Sequence, residues 1–450
     1  MTPPRHPIGV TRRELLQVGY SGLLGLGLAP VARAAGQTSG SPGKHKSVIL
    51  VFLTGAASQI DTFDPKPDTP DEVRGEFKTV ATNVPGIQVT ELFPKLAARA
   101  DKYALVRTLA HKDNNHTAAT HHLITGALQP GVRFDKPLSR DDWPCYAAGL
   151  SFLRPRTDGV PTGVTLPTFL AEGPLVWPGQ HAGFLGPRHD PLQITRDPSK
   201  PDFGVENLRP VGMEVDQLRD RMALLDVVNR QQRWLADSAE GRRLSDQQEK
   251  AVAVLTSGRV AQAFEIDREK PEVRDRYGRH LFGQSLLLAR RLVEAGVSVV
   301  QANMGRVQNW DHHSNIFPAL KKNCPPLDHG VAALLDDLGG SGLLDETLVI
   351  VVGEFGRTPK VSGKPVGRDH WAPCFTGLFA GAGVCGGQVV GRSDRTAAYP
   401  ATAPYSPDDV GATVYHVLGI DPATEVRDRL DRPVTLNRGE PIRALFTGRG

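Results

Sequence analysis

The sequence predicts an α/β protein with three layers, α/β/α, around a mostly parallel central sheet. Short apolar, β-rich runs alternate with amphipathic helical stretches along the chain, which is typical of this class. The apolar runs are continuous rather than alternating, as expected for strands that are buried on both faces of a sheet. Polar residues follow the ends of several of these runs, and open α/β sheets bind ligands beyond the carboxyl ends of their strands.

The chain begins with features of a twin-arginine signal peptide, assigned to residues 1–34. Arg12-Arg13 precede a short apolar run, and "ARAA" at Ala32–Ala35 supplies an A-x-A cleavage pattern. The run is too short and too rich in glycine for a membrane span, although an uncleaved anchor is the alternative. Residues 35–46 have the composition of a flexible linker. The sequence therefore predicts export to the periplasm or the extracellular space, with no stable membrane span in the mature chain.

Replacing both Arg12 and Arg13 by lysine should hold the unprocessed precursor in the cytoplasm, because this export route reads the arginine pair. Fractionation followed by immunoblotting measures the ratio of precursor to processed protein. Arg5→Lys, outside the pair, serves as the control and should leave processing unchanged. Normal processing of the double variant would contradict the twin-arginine assignment.

Charge and cysteine use narrow the classes of function. The chain has 53 Lys and Arg against 49 Asp and Glu, and the signal segment holds four of those arginines and one of the glutamates. The mature chain is therefore nearly neutral and has no basic footprint for nucleic acid. None of its four cysteines forms a C-x-x-C pair, which argues against a cysteine-rich metal site. After export one or two disulfides could form among them, and the full set is Cys145, Cys324, Cys374 and Cys385.

The pattern of the mature chain predicts one domain over residues 47–450. Residues 127–210 are rich in proline and glycine and predict a loop-rich insertion, whereas residues 212–296 predict a helical segment. A closing helix begins at Ser406, with acidic residues in its first turn. The predicted buried strands are Ser47–Leu53, Tyr103–Thr108, Val297–Met304 and Thr347–Val352, with a further candidate in "PCFTGLFAGAGV".

The stretch "NWDHHSNIF" places Asp311, His312 and His313 just beyond the third of these strands. Carboxylate and imidazole together suit zinc, manganese or iron. Neighbouring side chains alternate in an extended loop, so His313 rather than His312 is expected to face the site together with Asp311. A turn that uses aspartate and histidine without any metal is the alternative.

Two further motifs follow the fourth strand. "VVGEFGRTP" sets Glu354 at the strand end, and Arg357 either pairs with Glu354 or faces an anionic substrate group. "GRDHW" adds Arg368, Asp369 and His370 in the next loop. His370 is a candidate ligand, and Asp369 is expected to hold the His370 ring in one tautomer.

A histidine-rich stretch, "NNHTAATHHLITG", follows the second strand. His116 and Thr117 lie nearest the strand end and are its best candidates for the site. His121 and His122 would point roughly 100° apart on a helix, so at most one of them is expected to face it. His111, just upstream, is also close. A solvated, histidine-rich helix face is the alternative.

These motifs together resemble an exported bacterial family known as domain of unknown function 1501, which is placed in the alkaline phosphatase and sulfatase superfamily. The resemblance covers essentially the whole mature chain. It implies an alkaline phosphatase/sulfatase-like fold. The motifs that carry it are "SQIDTFDPKP", "RGEF", "VPGI", "GFLGPRHDP", "LLLARRLVEAGVSVV", "WDHH", "GEFGRTP", "GRDHW" and "GATVYHVLGID".

The superfamily resemblance also implies roles for single residues. "TLVIVVGEFG" is similar to the sulfatase stretch that ends in S-D-H-G, which implies that Glu354 stands at a metal-ligand position. "HTAATHHLITG" is similar to the sulfatase nucleophile segment and implies that His116 and Thr117 stand at the nucleophile. The chain departs from the pattern in two places: no cysteine is available there to become formylglycine, and Thr54-Gly55 replace an aspartate ligand.

The residues and the resemblance predict a hydrolase of phosphate or sulfate esters that acts on a small-molecule or glycan ester. A divalent metal (zinc, manganese or calcium) would act as a Lewis acid. The alternative is a non-catalytic secreted protein whose altered site binds an anionic glycan or a partner protein. Bound metal in the purified protein favours the first hypothesis.

Each candidate residue has an expected role in the hydrolase. The ion would be held by Asp311, His313 and His370, together with Glu354. Thr117 or a water would attack, His116 would act as acid, base or ligand, and Arg357 or Arg368 would hold the anion. Four positions are expected to support the site: Asp61, His111, Arg368 and Asp369.

Overall fold

Eight strands form one central sheet in the computed structural model, which describes residues 46–129, 138–203 and 258–448. These described residues fall within one compact unit, His45–Gly450. The strands of the described residues are β1 Ser47–Phe52, β2 Thr79–Ala81, β3 Gln88–Thr90, β4 Tyr103–Leu109, β5 Gly163–Leu166, β6 Ala171–Glu172, β7 Leu175–Val176, β8 Leu192–Gln193, β9 Val299–Asn303, β10 Thr347–Val352, β11 Gly356–Arg357, β12 His370–Trp371, β13 Phe375–Ala380, β14 Gln388–Val390, β15 Glu425–Arg427 and β16 Pro433–Thr435.

Helices cover both faces of the sheet. Those of the described residues are α1 Asp71–Arg74, α2 Pro94–Ala97, α3 His116–Thr125, α4 Tyr146–Leu153, α5 Gly258–Ala263, α6 Pro271–Tyr277, α7 Leu281–Glu294, α8 Ile316–Gly340, α9 Pro407–Val417 and α10 Ala444–Thr447. Short 3₁₀ turns occur between them, for example at Gly183–Leu185.

The order of strands across the sheet is β14-β4-β13-β10-β1-β9-β5-β8. Pairing is parallel except around β13, which runs antiparallel to both of its neighbours, β10 and β4. Since β13 reverses direction against both neighbours, β4 and β10 point the same way. The carboxyl ends of β1, β4, β9 and β10 therefore share one edge of the sheet. The predicted three-layer, mostly parallel α/β/α fold is confirmed.

The sequence of β1 shows how the layers form. Its six residues are all buried, and alternate side chains enter two separate apolar clusters. Ile49 and Val51 pack on the side of α7 and α8, whereas Val48, Leu50 and Phe52 pack on the side of α3, α4 and α9. A strand with apolar side chains on both faces is stable only when both faces are covered, which explains its unbroken apolar run.

Some elements differ from the sequence pattern. The proline- and glycine-rich stretch, whose pattern predicts long loops with short strands, also contains a full helix, α4. Its short strand β5 belongs to the central sheet. Helix α8 carries Pro325 and Pro326 inside it, although proline usually ends or kinks a helix. Lys321 and Lys322, which precede the prolines by one turn, are exposed. Their carbonyls, left without a helical donor, lie on the side of the helix that faces solvent.

The closing helix follows the sequence closely. Ser406 is the N-cap of α9, and its side chain forms a reciprocal capping box with Asp409. This arrangement satisfies two backbone donors that a helix start leaves without partners. The local sequence was sufficient here because both capping partners lie within one turn.

Several predictions fall on other parts of the chain. The signal peptide 1–34, the linker up to residue 45 and the segment 212–257 lie outside the described residues. No helix in the described ranges is both long enough and apolar enough to cross a bilayer. The four cysteines are all described and all have free thiols, so none of the disulfides that could form among them is present in this structure.

Candidate metal centre

Loops at the carboxyl edge of the sheet bring the predicted residues together. Glu354 follows β10, Asp311 lies beyond β9, and His116 opens the helix that follows β4. The small hairpin β11–β12 adds His370, which pairs directly with Arg357 across its two strands. The topology of the sheet thus brings side chains from four distant parts of the sequence together at one edge.

The carboxylate of Asp311 lies at the centre of this cluster. Its Oδ1 is 3.0 Å from His313 Nε2 and 3.3 Å from His370 Nε2. Its Oδ2 is 3.1 Å from His116 Nε2. The two Nε2 atoms of His313 and His370 are themselves 2.9 Å apart. Three imidazoles therefore direct the same ring nitrogen towards a single carboxylate.

The outer nitrogens of two of these rings are held by protein acceptors. His370 Nδ1 lies 2.8 Å from the carbonyl oxygen of Asn114, and His313 Nδ1 lies 2.7 Å from Asp369 Oδ1. A carbonyl or carboxylate oxygen only accepts, so each Nδ1 carries the proton. In the neutral rings both Nε2 atoms then present lone pairs to each other at short range. The two lone pairs repel each other, and a cation between them would remove this repulsion. Metal-binding histidines usually donate their other ring N–H to a protein acceptor in this way.

The third imidazole, His116, lies between two carboxylates. Its Nδ1 is 2.6 Å from Glu354 Oε1, while Nε2 faces Asp311. Nε2 is buried and has no well-directed hydrogen-bond partner among the described residues. Burial lowers the pKa of His116, but Asp311 and Glu354 outweigh it and raise the pKa to about 9. The surroundings therefore favour a positive charge at this position, either a proton or a metal ion.

Arg357 fixes the central carboxylate from the interior. Its guanidinium contacts Asp311 Oδ1 at 2.5 Å, and its other donors bind the carbonyl oxygens of Gly55, Ala56 and Arg368. Burial raises the pKa of Asp311, but the adjacent His116 and His370 rings and the charge of Arg357 hold it well below its usual range. Arg357 is fully buried and its donors are engaged by protein oxygens, so it positions Asp311 rather than facing a substrate.

The backbone at the end of β1 binds Glu354. The N–H of Gly55 donates to both carboxylate oxygens of Glu354, at 2.9 and 3.2 Å. Gly55 has φ +95, and a Cβ there would lie 2.6 Å from the Cα of Gln308. Only glycine fits this turn without strain. The turn at Gly55 thus gives the carboxylate of Glu354 a backbone donor.

Asp61 and Arg368 form a separate buried pair beside the cluster. Arg368 Nε lies 2.7 Å from Asp61 Oδ2, and both side chains are fully buried. The remaining Arg368 donors bind the carbonyl oxygens of Val73, Thr358 and Pro359. Arg368 therefore has no donor directed at a substrate anion, and its link to the cluster is its own carbonyl, which accepts from Arg357.

One histidine of the histidine-rich helix α3 reaches the cluster, and its other two histidines contact residues packed around the helix. Thr117 donates its hydroxyl to the N-cap side chain of Asn115 at 2.6 Å. His121 accepts from the backbone N–H of Trp143, and His122 lies 2.6 Å from a carboxylate oxygen of Asp408. Both of these rings serve packing around α3, so His116 is the histidine of this helix that reaches the cluster.

His111 supports the strand end next to the cluster. Its Nε2 lies 2.7 Å from the carbonyl oxygen of Glu354, and its Nδ1 accepts from the N–H of Asp113. Burial lowers the pKa of His111 to about 4, so the ring is neutral at ordinary pH. It contacts the backbone of Glu354 and none of the carboxylates of the cluster.

Sequence reasoning missed several partners of the cluster. Asp369 orients His313, whereas the motif had suggested His370, whose ring is held instead by the Asn114 carbonyl. Phe355 and Trp177 pack beside His116, with ring centroids 4.9 and 5.8 Å away. A backbone acceptor leaves no signal in the sequence.

The cluster is open on one side. The side chains of His313 and Asp369 are 46% and 60% exposed, whereas that of Asp311 is 11% exposed. Solvent and a ligand can therefore approach from the side of His313. His116, Asp311 and His370 form a group whose ligand atoms all lie close enough together to hold one metal ion.

The fold and this cluster define an α/β protein with a candidate metal centre at the carboxyl edge of its sheet. The chain belongs to the family described as protein of unknown function DUF1501, whose model matches residues 45–446. A comparison with curated protein sequences gave no match.

Several solved structures share the general course of the chain. Ps i-CgsB has a TM-score of 0.43 and 10% identity, with 90% of this chain and 77% of that chain covered. PsFucS1 sulfatase from Pseudoalteromonas sp. has a TM-score of 0.39 and 14% identity, with 91% and 72% covered. The alkaline phosphatase from the Antarctic bacterium TAB5 has a TM-score of 0.37 and 14% identity, with 84% and 99% covered. Likeness of this degree carries no argument about the chemistry of this chain.

Proposed function

We propose that this protein is a metal-dependent hydrolase of phosphate or sulfate esters that is exported by the twin-arginine route. The observation that carries the proposal is the convergence of Asp311, His313 and His370, with His116, at one open edge of the sheet. A cleft lined by carboxylate and oriented imidazoles is typical of hydrolytic metal centres.

The donor set fits a divalent ion. The facing atoms of Asp311, His313 and His370 lie 2.9 to 3.3 Å apart, close enough to share an ion with bonds of about 2.0–2.2 Å. Of zinc, manganese and calcium, this set favours the first two, because calcium prefers oxygen ligands. Once bound, such an ion supplies Lewis acidity and lowers the pKa of a coordinated water.

The residues of the chain prepare the centre for an ester. Arg357 keeps Asp311 ionised and fixed, Asp369 orients His313, and the Asn114 carbonyl orients His370. The exposed side at His313 allows a small-molecule or glycan ester to reach the centre. Because the Thr117 hydroxyl donates to the helix cap, a water is the better candidate for the attacking group.

A second function, non-catalytic binding of an anionic glycan or a partner protein, is favoured by one observation. Neither Arg357 nor Arg368 directs a donor towards the open side of the cluster, because protein oxygens engage both guanidinium groups. Such a site could bind an anion through the ion alone, without the further charge stabilisation that ester cleavage requires.

A substrate panel distinguishes the two functions. The mature protein, loaded with zinc or manganese, is assayed on aryl phosphates, aryl sulfates and sulfated oligosaccharides. Turnover should disappear with a chelator and return with metal, and Asp311→Asn should lower kcat by about 10²-fold or more, as for loss of other charge-stabilising groups. His312→Ala serves as the control and should keep its activity. Metal-loaded protein that is no faster than Asp311→Asn on every ester would contradict catalysis and favour the binding function.

A further inference from the structure

We infer that His116 is itself a ligand of the ion and that Glu354 is a positioning residue for His116 rather than a ligand. This assignment rests on the proposed metal centre and deepens it. It differs from the pattern of the sequence, which places Glu354 at a ligand position.

The first argument is that the carboxylate oxygens of Glu354 already accept hydrogen bonds from the protein. Both of its oxygens accept from the Gly55 N–H, and Oε1 also accepts from His116 Nδ1. Glu354 is fully buried and lies on the Nδ1 side of His116, while Asp311 lies on the Nε2 side. The imidazole therefore stands between the two carboxylates. An ion that binds Asp311 meets the ring of His116 before it can reach Glu354.

The second argument comes from His116. Its Nε2 is buried, has no well-directed hydrogen-bond partner among the described residues, and lies 3.1 Å from Asp311 Oδ2. Trp177 stacks on the ring with an interplanar angle of 21°, and Phe355 packs 4.9 Å away. A ring fixed by a carboxylate behind it and by aromatic neighbours beside it is preorganised to offer one lone pair in one direction.

The resulting set has three imidazoles and one carboxylate: His116, His313, His370 and Asp311. In each ring Nδ1 is bound to an acceptor of the protein, at 2.6, 2.7 and 2.8 Å for His116, His313 and His370. Such a nitrogen-rich set selects zinc, manganese or another transition ion against calcium and magnesium. The order of affinities should therefore place Zn²⁺ well above Ca²⁺.

Cu²⁺ added alone to the mature metal-free protein is a probe that counts these ligands. Pulsed electron paramagnetic resonance detects the remote nitrogen of each bound imidazole, and isothermal titration measures Kd. We expect three imidazoles in the parent, two in His116→Ala and in His116→Gln, and three in the control His312→Ala. Two imidazoles in the parent, unchanged by either His116 substitution, would overturn the ligand assignment.

Glu354 variants test the positioning role with the same probe. Glu354→Gln keeps an acceptor for His116 and should retain three imidazoles, with a Kd raised about 10–100-fold, as for other partners that orient a ligand. Glu354→Ala should weaken binding further, and partial rescue by glutamine identifies the hydrogen bond as the cause. An unchanged Kd in Glu354→Ala would overturn the positioning role. These measurements do not depend on ester turnover. Three bound imidazoles in a protein that hydrolyses no ester would overturn the hydrolase proposal alone. Ester turnover by a protein with two bound imidazoles would overturn the ligand assignment of His116 alone.

Discussion

Replacing His313 or His370 by alanine should lower the affinity of the protein for Zn²⁺ by about 10-fold or more, because even residues that only orient a ligand cost 10–100-fold. Both rings direct Nε2 to Asp311, at 3.0 Å for His313 and 3.3 Å for His370. Isothermal titration of the mature protein, stripped of metal, measures the change in Kd at fixed pH, since imidazole must be unprotonated to bind.

His312→Ala is the matched control for this experiment. His312 lies between Asp311 and His313 in sequence, but its ring bonds to the backbone of Asn309 rather than to the carboxylate of Asp311. Its carbonyl accepts from the Arg368 N–H at 3.0 Å. Its substitution keeps that bond and should change the Kd for Zn²⁺ less than twofold or so. Parent-like binding in both His313→Ala and His370→Ala would mean that the ion binds elsewhere or not at all, and the binding-protein function would then be preferred.

The strands of the sheet could be predicted because burial on both faces requires a continuous run of apolar residues. Thr347–Val352 is a strand over its predicted bounds, and Ser47–Leu53 differs from the observed Ser47–Phe52 by one residue. Strands covered on both faces need unbroken apolar runs, and the short length and β-branched residues of these runs distinguish them from buried helices. Helix α8 shows the limit of such reasoning, because Pro325 and Pro326 signal a break, yet the helix continues through them on a side where Lys321, Lys322 and Pro325 are exposed.

The membership of the site could be predicted, but its internal order could not. Strand ends and residue types were enough to nominate Asp311, His313, Glu354 and His370. The sequence spacing does not show which carboxylate contacts Nδ1 of which histidine. These contacts depend on differences of a few ångströms in the tertiary structure. The position of His116 between Glu354 and Asp311 has this origin. So does the pairing of Asp369 with His313.

The buried pair of Asp61 and Arg368 should give the largest effect on stability. Arg368→Met leaves the Asp61 carboxylate in the interior without its charged partner, with Ser58 as its remaining side-chain donor. Breaking a buried pair from one side costs about 3–5 kcal/mol, because an uncompensated charge remains out of water. The urea midpoint of unfolding should fall accordingly, while the affinity for Zn²⁺ changes much less, because the Arg368 carbonyl that binds Arg357 is kept.

Two variants give this prediction its controls. Arg74→Met breaks an ion pair with Asp71 in which the side chains are 44% and 88% exposed, so it should cost at most about 1 kcal/mol. Adding Asp61→Asn to Arg368→Met removes the stranded charge and should recover part of the lost free energy of unfolding. A midpoint for Arg368→Met equal to that for Arg74→Met would show that the pair contributes nothing to stability. Destabilisation that the double variant fails to relieve would assign the loss to the carbonyl hydrogen bonds of Arg368 rather than to its charge.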